Sequence, residues 1–471
     1  METVCSAKEP APKERRAAQD SSETPAVPAI CTIQPSLFMS CSTGLQTPHL
    51  IIQMADPGKP LEPVTEIRTG QFFGRIKPTK LTIQGPVFPS DLGLILALDL
   101  ATVQHLEIKG YQEPEFDLSL LPSNLTSLNS IVLSDNELRR LRPSRHCDPS
   151  TPFAQQQQQQ QQHSGACSFS LGPSIQALDI SNNLVTDLSA DVLGLFPNLL
   201  TLHWSVNQLH HLDQHVLGAV PKLRTLDVSV NRLTTVSDRP FEPLRSLRHL
   251  NLENNAIKQL HATTFARLTQ LEVLNLERNA IASIDAAAFQ ALTNLRRLHL
   301  ASNRISHLPT RLFASLTQLL RLDLRRNDIH RVAHTDFEHM RALSFLSVTR
   351  NKIAFLPDGV FAPLRNLTEL YISNNDIADV TAQTLAGLST LKTLFMIGNR
   401  IADLAPNLLA GLPMLAHFNA RDNHISAVPT RLFVQSPRME TIVLSGNRLE
   451  GIGFDVPLTE LRVLDLDSNP L

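Results

Sequence analysis

The sequence predicts a solenoid, a chain wound into a stack of similar coils, each with a short strand followed by a sharp bend. Two observations lead to this fold class. An asparagine returns every 24 residues along most of the chain, inside a constant spacing of apolar residues. A second apolar column, largely phenylalanine, lies ten residues after the asparagines from Asn183 to Asn423. Repeats of this length can stack on their neighbours and so escape the size limit of a single hydrophobic core.

The asparagine column indicates a structural ladder. Around each copy, alternate apolar residues such as Leu274 and Leu276 predict a strand with its core side inward. The bend that follows leaves backbone groups in an apolar interior, and an amide side chain can satisfy them by bonding adjacent coils. The fourteen members are Asn136, Asn183, Asn207, Asn231, Asn255, Asn279, Asn303, Asn327, Asn351, Asn375, Asn399, Asn423, Asn447 and Asn469.

The second column predicts a core spine inside the far wall of the coil, not a ligand pocket, because periodic apolar residues are usually core. Its members are Leu193, Leu217, Phe241, Phe265, Phe289, Phe313, Phe337, Phe361, Leu385, Leu409 and Phe433.

With its L-x-x-L-x-L-x-x-N-x-L signature, the chain resembles the leucine-rich repeat family over residues 128–471. The 24-residue period with its phenylalanine column is similar to the "typical" subclass found in Slit, chaoptin and insect Toll-like ectodomains. The resemblance implies an α/β solenoid, a curved horseshoe with a parallel concave β-sheet and convex loops or short helical turns. It also implies an extracellular or cell-surface location, although the first thirty residues do not read as a signal peptide.

Three regions are expected. Residues 1–30 are charged and rich in Pro, Ala and Ser, which predicts disorder. Residues 31–125 hold degenerate repeats and are interpreted as an amino-terminal cap. Residues 126–471 hold the leucine-rich repeats, with a polyglutamine insertion at about 142–170. The end at Leu471 lacks the cysteine-rich cap of extracellular relatives, so we expect a truncated product or a partner covering that end.

The insertion carries eight consecutive glutamines and is bracketed by Cys147 and Cys167. Its composition favours a solvated low-complexity loop. The alternative is a loop closed at its base by a disulfide between these two cysteines. By resemblance to extracellular relatives, Cys31 and Cys41 form a second candidate disulfide in the cap. Two sequons, at Asn124 and Asn366, are candidate glycosylation sites, although chance also explains them.

Composition and motifs argue against several function classes. The net charge is -2, which disfavours a globally basic nucleic-acid or membrane-surface binder. No apolar run reaches the roughly 20 residues of a membrane span. We find no Walker loop, dinucleotide fingerprint or nucleophile elbow, so we predict no enzyme and no cofactor. The histidines at 203, 210 and 211 should not converge, so no metal site is predicted. Trp204 should be core.

Candidate binding residues are those whose side chains project from the concave face near the middle of the repeats. Outward arginines form a predicted basic patch, with Glu277 and Asp323 as partial counterweights. Next to it, outward aromatic residues have the composition of an interface hot spot. The partner-binding candidates are Phe345, Tyr371, Phe395, Ile397, Arg297, Arg321, Arg325, Arg326 and Arg350.

The sequence therefore predicts a non-enzymatic module that recognises a protein ligand or receptor on its concave face, in extracellular signalling, innate immunity or cell adhesion. No nucleic-acid partner and no transmembrane segment are predicted. One alternative is a structural adhesion protein that forms a homodimer. Another is a cytoplasmic leucine-rich repeat scaffold, which the absent signal peptide and the sparse cysteines favour.

Overall fold

A computed structural model describes residues 79–85, 100–121, 125–143, 174–236, 239–454 and 457–471, together with the backbone of four strands nearer the amino terminus. The chain divides into two compact units. The first comprises residues 1–209 and 215–226, and the second comprises residues 210–214 and 227–471. Each is built from coils of the same kind.

Strands are short and helices are few. Numbered in chain order as β1 to β24, the strands are Cys5–Ala7, Ala29–Gln34, Leu37–Ser42, His49–Met54, Lys80–Gln84, His105–Lys109, Glu115–Asp117, Ser130–Val132, Arg140–Arg142, Ala177–Asp179, Thr201–His203, Thr225–Asp227, His249–Asn251, Gln259–Leu260, Val273–Asn275, Ser283–Ile284, Arg297–His299, Arg321–Asp323, Phe345–Ser347, Glu369–Tyr371, Thr393–Phe395, His417–Asn419, Thr441–Val443 and Val463–Asp465. The helices α1 to α3 are Ala190–Gly194, Gln214–Gly218 and His334–Phe337, and Leu118–Leu120 forms a 3-10 turn.

In the second unit the main sheet is parallel and in register. Each three-residue strand pairs with its equivalent one coil further on, so Leu298 lies beside Leu322 and Leu346 beside Leu370. The central residue of each three-residue strand from β13 to β23 is buried, while its two neighbours point to the opposite face. Complete burial of a leucine contributes about 1.5–3 kcal/mol before entropy is subtracted, so repetition of this one position supplies a continuous core.

The first unit continues the same pattern across the long insertion. Strand β8 pairs in parallel with β10, which puts Ile131 beside Leu178, although 47 residues separate them instead of 24. The extra chain therefore leaves the register of the sheet unchanged. Nearer the amino terminus, β2, β3 and β4 pair antiparallel, and the parallel order begins where β4 pairs with β5.

The ladder asparagines join adjacent coils through both ends of the amide. At Asn303, Oδ1 accepts a hydrogen bond from the Ile281 N–H at 3.0 Å. Its Nδ2 donates to the carbonyls of Leu276 at 2.9 Å and Leu300 at 3.1 Å, one in the preceding coil and one in its own. The same three kinds of bond recur at Asn255, Asn279, Asn327, Asn351, Asn375, Asn399, Asn423, Asn447 and Asn469.

The bend lies immediately before each ladder asparagine. In all fourteen coils the preceding residue has a positive φ, for example +54° at Arg326 and +60° at Gly398. The left-handed conformation turns the chain away from the sheet and brings the amide into the coil. Non-glycine residues adopt it at a cost of about 1–2 kcal/mol, which the hydrogen bonds of the ladder help to offset.

Phenylalanine rings stack in the interior of the second unit. Ring centroids are 6.0 Å apart for Phe241 and Phe265, 6.2 Å for Phe265 and Phe289, and 6.3 Å for Phe289 and Phe313. All four rings are buried. Offset stacking of this kind adds about 0.5–1.5 kcal/mol per pair beyond simple burial.

The predicted fold class is confirmed, since the chain is a parallel-strand solenoid of leucine-rich repeat type with very little helix. Where most coils return, the chain forms turns instead of helices. No helix among the described residues is long and apolar enough to cross a membrane. The polyglutamine tract, Asn124 and the side chains of all five cysteines lie outside the described residues, as does most of segment 1–30. The predicted disorder, disulfides and glycosylation at these positions therefore stay predictions.

Candidate functional site

The outer face of the sheet is the face opposite the buried core, and strands β18 to β21 present an unusual set of side chains there. In β19 the buried Leu346 is flanked by Phe345 and Ser347, and in β20 the buried Leu370 is flanked by Glu369 and Tyr371. Strand alternation sends both flanking residues away from the core. The repeat itself therefore positions the aromatic side chains on this surface.

Three aromatic rings contact one another on the outer face, and we call Phe345, Tyr371 and Phe395 the aromatic cluster. The centroids of Phe345 and Tyr371 are 5.3 Å apart, and those of Tyr371 and Phe395 are 5.2 Å apart in an edge-to-face arrangement. Tyr371 and Phe395 are direct neighbours in the sheet register, whereas Phe345 reaches Tyr371 diagonally. Each ring is only partly buried, so the cluster is preorganised and still accessible.

Two small buried residues lie close in sequence to these rings. Ser347 and Ser373 are 4% exposed, and the Ser373 hydroxyl accepts a hydrogen bond from the Ile397 N–H at 3.1 Å. Ile397 itself is partly buried on the carboxy-terminal side of the cluster. The short serine side chains leave the aromatic rings as the prominent apolar groups of this part of the sheet.

Arg321 stacks on the aromatic cluster. Its guanidinium carbon lies 3.4 Å from the centroid of the Phe345 ring, and the two residues are register partners on β18 and β19. A cation over an aromatic face gains about 0.5–2 kcal/mol, depending on its exposure to water. The contact orders the arginine beside the apolar surface, where it remains partly exposed.

Arg325 is held by the two predicted counterweights. Its Nη2 lies 3.2 Å from Glu277 Oε1, and its Nε lies 3.5 Å from Asp323 Oδ2. Because Arg325 is 45% exposed, these ion pairs contribute at most about 1 kcal/mol to stability. They nevertheless neutralise much of its local field.

Burial shifts the ionisation of two neighbours, His299 and Asp323, which are register partners. Burial lowers the pKa of His299, and the nearby Asp323 carboxylate opposes this shift. Burial raises the pKa of Asp323, while the hydrogen bond from the Arg325 backbone N–H opposes that change. The lowered pKa favours an uncharged His299 imidazole at neutral pH.

Tyr371 keeps its proton. Burial, followed by the hydrogen bond from its hydroxyl to Glu369 Oε2 at 2.8 Å, raises the pKa of Tyr371 to about 12. The phenol therefore stays neutral over the physiological range. Its bond to Glu369 fixes the ring in place between Phe345 and Phe395.

The other predicted arginines occupy two different settings. Arg297 is exposed on strand β17. Arg326 and Arg350 are exposed but lie at the left-handed bend after their strands, with φ of +54° and +58°. The predicted basic patch is thus divided: neighbouring side chains engage Arg321 and Arg325, whereas Arg297 on its strand and Arg326 and Arg350 at the bends are exposed.

Other residues singled out by sequence do not contribute to this surface. Trp204 is buried, whereas His210 and His211 are exposed. Among the described residues, no group of three or more His, Cys, Asp or Glu side chains could hold a metal ion. Asn366 is exposed at the start of its repeat, and its Nδ2 donates to the Arg341 carbonyl at 2.9 Å.

One surface feature was not predicted from the sequence. A shallow polar cleft of about 390 Å³ lies where three successive coils approach their strands. The sequence pattern that could have indicated this cleft is a Leu-Thr-polar-Leu tetrad repeated at 268–271, 292–295 and 316–319. The lining residues are Gln270, Glu272, Thr293, Asn294, Arg296, Thr317 and Gln318.

Comparisons with known proteins agree with the fold. The family model described as "Leucine rich repeat" matches residues 197–257, 245–305, 293–353 and 365–425. A search of curated proteins found no match. Among solved structures, the leucine-rich repeat protein LIC12759 of Leptospira interrogans is 21% identical over 83% of this chain and 95% of its own, with a TM-score of 0.59.

Two receptor structures are also similar. A chain of the Toll–Spatzle complex of Drosophila is 19% identical, with a TM-score of 0.66, over 97% of this chain and 63% of its own. A chain of the TLR13–ssRNA13 complex is 23% identical, with a TM-score of 0.52, over 86% of this chain and 63% of its own. This chain thus spans less than two thirds of either receptor chain. At these identities the likeness shows the fold alone, and together with the matched family model it establishes that the chain belongs to the leucine-rich repeat proteins.

Proposed function

We propose that this protein is a non-enzymatic recognition module that binds a folded protein partner through the aromatic cluster on the outer face of its sheet. The observation that carries the proposal is the contact of three partly exposed aromatic rings, Phe345, Tyr371 and Phe395, with Arg321 stacked on the first. Aromatic residues and arginine are the side chains most enriched at interface hot spots.

The arrangement favours binding for two physical reasons. Apolar rings gain free energy when a partner removes them from water. In addition, the rings hold one another, and Glu369 holds the Tyr371 hydroxyl, so little side-chain entropy is lost on association. Arg321 and Arg297 add positive charge beside the rings, which suits a partner with acidic groups next to an apolar patch.

The structural neighbours support this proposal without identifying the partner. The Toll structure is a complex with Spatzle. The plant peptide hormone receptor RGFR1, which is 21% identical with a TM-score of 0.54, was solved in complex with RGF2. By analogy we propose an extracellular or cell-surface location and a role in signalling, innate immunity or adhesion. Membership of the 24-residue "typical" subclass is part of the same proposal. The TLR13 structure contains single-stranded RNA, so an RNA ligand is one outcome that the experiment must separate.

The test compares two double variants as bait in quantitative affinity capture. Tyr371→Ala with Phe395→Ala removes two rings of the aromatic cluster. Phe355→Ala with Val434→Ala is the matched control, since Phe355 is 64% exposed and Val434 is 45% exposed elsewhere in the same unit. We expect at least one protein to be retained by the wild type and the control but lost by the cluster variant.

Kinetics on that protein then test the mechanism. A hot-spot ring contributes about 2 kcal/mol or more, so the cluster variant should bind at least about 30-fold more weakly, mainly through faster dissociation. Arg297→Glu should instead slow association and reduce its dependence on salt. Equal retention of all proteins by both double variants would show that the aromatic cluster is not the binding site, and nuclease-sensitive retention would indicate RNA.

A further inference from the structure

Positive charge is concentrated in one part of the repeats. Residues 278–352 contain twelve Lys or Arg against five Asp or Glu, whereas the whole chain has a net charge of -2. The rest of the sequence is therefore acidic, and the near-neutral total conceals a local excess. An excess of this size on one segment is large enough to attract a polyanion.

Much of this charge is not compensated. Arg325 pairs with Glu277 and Asp323, and Lys352 pairs with Asp328 at 2.6 Å. Nine other exposed arginines of this segment have no Asp or Glu oxygen within 4.0 Å among the described residues. Four of these nine are direct sequence neighbours of a ladder asparagine, and we call these four the arginine row: Arg278, Arg304, Arg326 and Arg350.

The row has one member in each of four consecutive coils. Arg278, Arg326 and Arg350 directly precede a ladder asparagine and share almost the same φ, between +54° and +58°. Arg304 directly follows the ladder asparagine of the coil between the first two. All four arginines therefore lie at the bend of their coil, each next in sequence to a ladder asparagine.

Backbone hydrogen bonds hold the spacing of the row. Each arginine N–H donates to a carbonyl of an adjacent coil at 2.8–2.9 Å, so its position is tied to the sheet and not to a free loop. With strands about 4.8 Å apart, the row extends roughly 14 Å before side-chain reach is added. The acceptors of Arg278, Arg304, Arg326 and Arg350 are the carbonyls of Ala301, Ile281, Thr349 and Ser373.

The row ends sharply at both sides. In the coil before it, the residues next to the ladder asparagine are Asn254 and Ala256. In the coil after it they are Asn374 and Asp376, and Asp376 is paired with Arg400. The site is therefore a defined stripe of four coils and not a uniformly basic edge.

Its chemistry favours a particular kind of polyanion. The planar guanidinium presents paired donors that match sulfate or phosphate oxygens, and arginine is more weakly hydrated than lysine. Single-stranded nucleic acids additionally need aromatic platforms on which bases stack. No position of the arginine row is aromatic.

We propose that the arginine row binds a linear sulfated polysaccharide of the heparan sulfate class. The sulfate groups along the chain bind successive guanidinium groups, one coil after another. This surface uses residues other than the aromatic cluster, and the proposal does not depend on the proposed protein partner.

The experiment measures binding of a size-fractionated heparin oligosaccharide to the full chain by calorimetry at two salt concentrations. The test variant combines Arg278→Asn, Arg326→Asn, Arg350→Asn and Arg304→Gln. Asparagine tolerates the left-handed backbone of the three bend positions, so the fold should be preserved. We expect at least about tenfold weaker binding and a smaller salt dependence than for the wild type.

A matched control changes the net charge equally at exposed arginines outside the row. It combines Arg224→Gln, Arg232→Gln, Arg438→Gln and Arg448→Gln, of which Arg232 and Arg448 directly follow a ladder asparagine, as Arg304 does. The control should bind nearly as tightly as the wild type, and a desulfated oligosaccharide should not bind. Equal losses in both variants, no wild-type binding, or preferential binding of single-stranded RNA or polyglutamate would each overturn the proposal.

Discussion

Replacing one ladder asparagine tests whether the side-chain amides hold the coils together. Asn303→Ala is the informative change because Asn303 is only 8% exposed and all its partners are backbone groups. Its Nδ2 also donates to the Ala301 carbonyl at 3.2 Å. The substitution removes an acceptor from one N–H and a donor from three carbonyls.

The structure indicates which of these losses matters. The Leu276 carbonyl keeps a hydrogen bond from Asn279 Nδ2 at 3.2 Å, and the Leu300 carbonyl keeps one from Asn327 Nδ2 at 2.9 Å. The Ala301 carbonyl keeps the Arg278 N–H at 2.9 Å. Only the Ile281 N–H loses its acceptor. One buried unsatisfied donor costs about 1–3 kcal/mol, and with the weakened carbonyl bonds we expect destabilisation of about 2–4 kcal/mol.

Urea denaturation measures this cost, and native-state hydrogen exchange locates it. The Ile281 amide should exchange faster in Asn303→Ala than in the wild type. The control is Asn294→Ala, because Asn294 is exposed and its single donated bond, to the Thr269 carbonyl at 2.8 Å, lies in water. This control should change stability by less than about 0.5 kcal/mol. If both variants were equally stable, the ladder amides would not be responsible for joining the coils.

The remaining predictions concern Tyr371 and the phenylalanine spine. Because burial and the Glu369 hydrogen bond raise the pKa of Tyr371 to about 12 from the ordinary 10.0, the unfolded state loses this proton at lower pH than the folded state. Stability should therefore fall as pH rises from about 10 to 12. Alkaline denaturation of Tyr371→Phe should lack this component, and an unchanged pH profile would contradict the assignment. Phe289→Ala should cost about 3–5 kcal/mol in urea denaturation, since it empties the space between two stacked rings. Phe355→Ala should be nearly neutral because that ring is exposed, and similar losses at both positions would contradict the interior spine.

Much of the fold was accessible from sequence because each coil repeats the same physical problem. A strand whose alternate residues are apolar has one core face, and a bend in that core needs a polar side chain to satisfy it. Asn303 and Phe289 could be interpreted in this way from period and residue type. Even the 47-residue step between Asn136 and Asn183 left the strand register readable, since Ile131 and Leu178 keep their places in the pattern.

The candidate site was only partly accessible. Alternation along the strands indicated that Phe345 and Tyr371 leave the core. Nothing in the sequence distinguished an arginine that stacks on Phe345 from one that pairs with Glu277, since the latter contact joins residues 48 positions apart. Such choices depend on side-chain rotamers across neighbouring coils.

The sequence alone therefore determined the coil, its core and the face on which each residue lies, because burial follows a local period that short-range chemistry imposes. Tertiary structure alone decided which outward groups are engaged and which are free. Arg325 is held by Glu277 and Asp323, whereas Arg326 next to it has no carboxylate within 4.0 Å among the described residues. The physical reason is that charge pairing depends on distances of a few ångströms between coils, and those distances exist only after the coils have stacked.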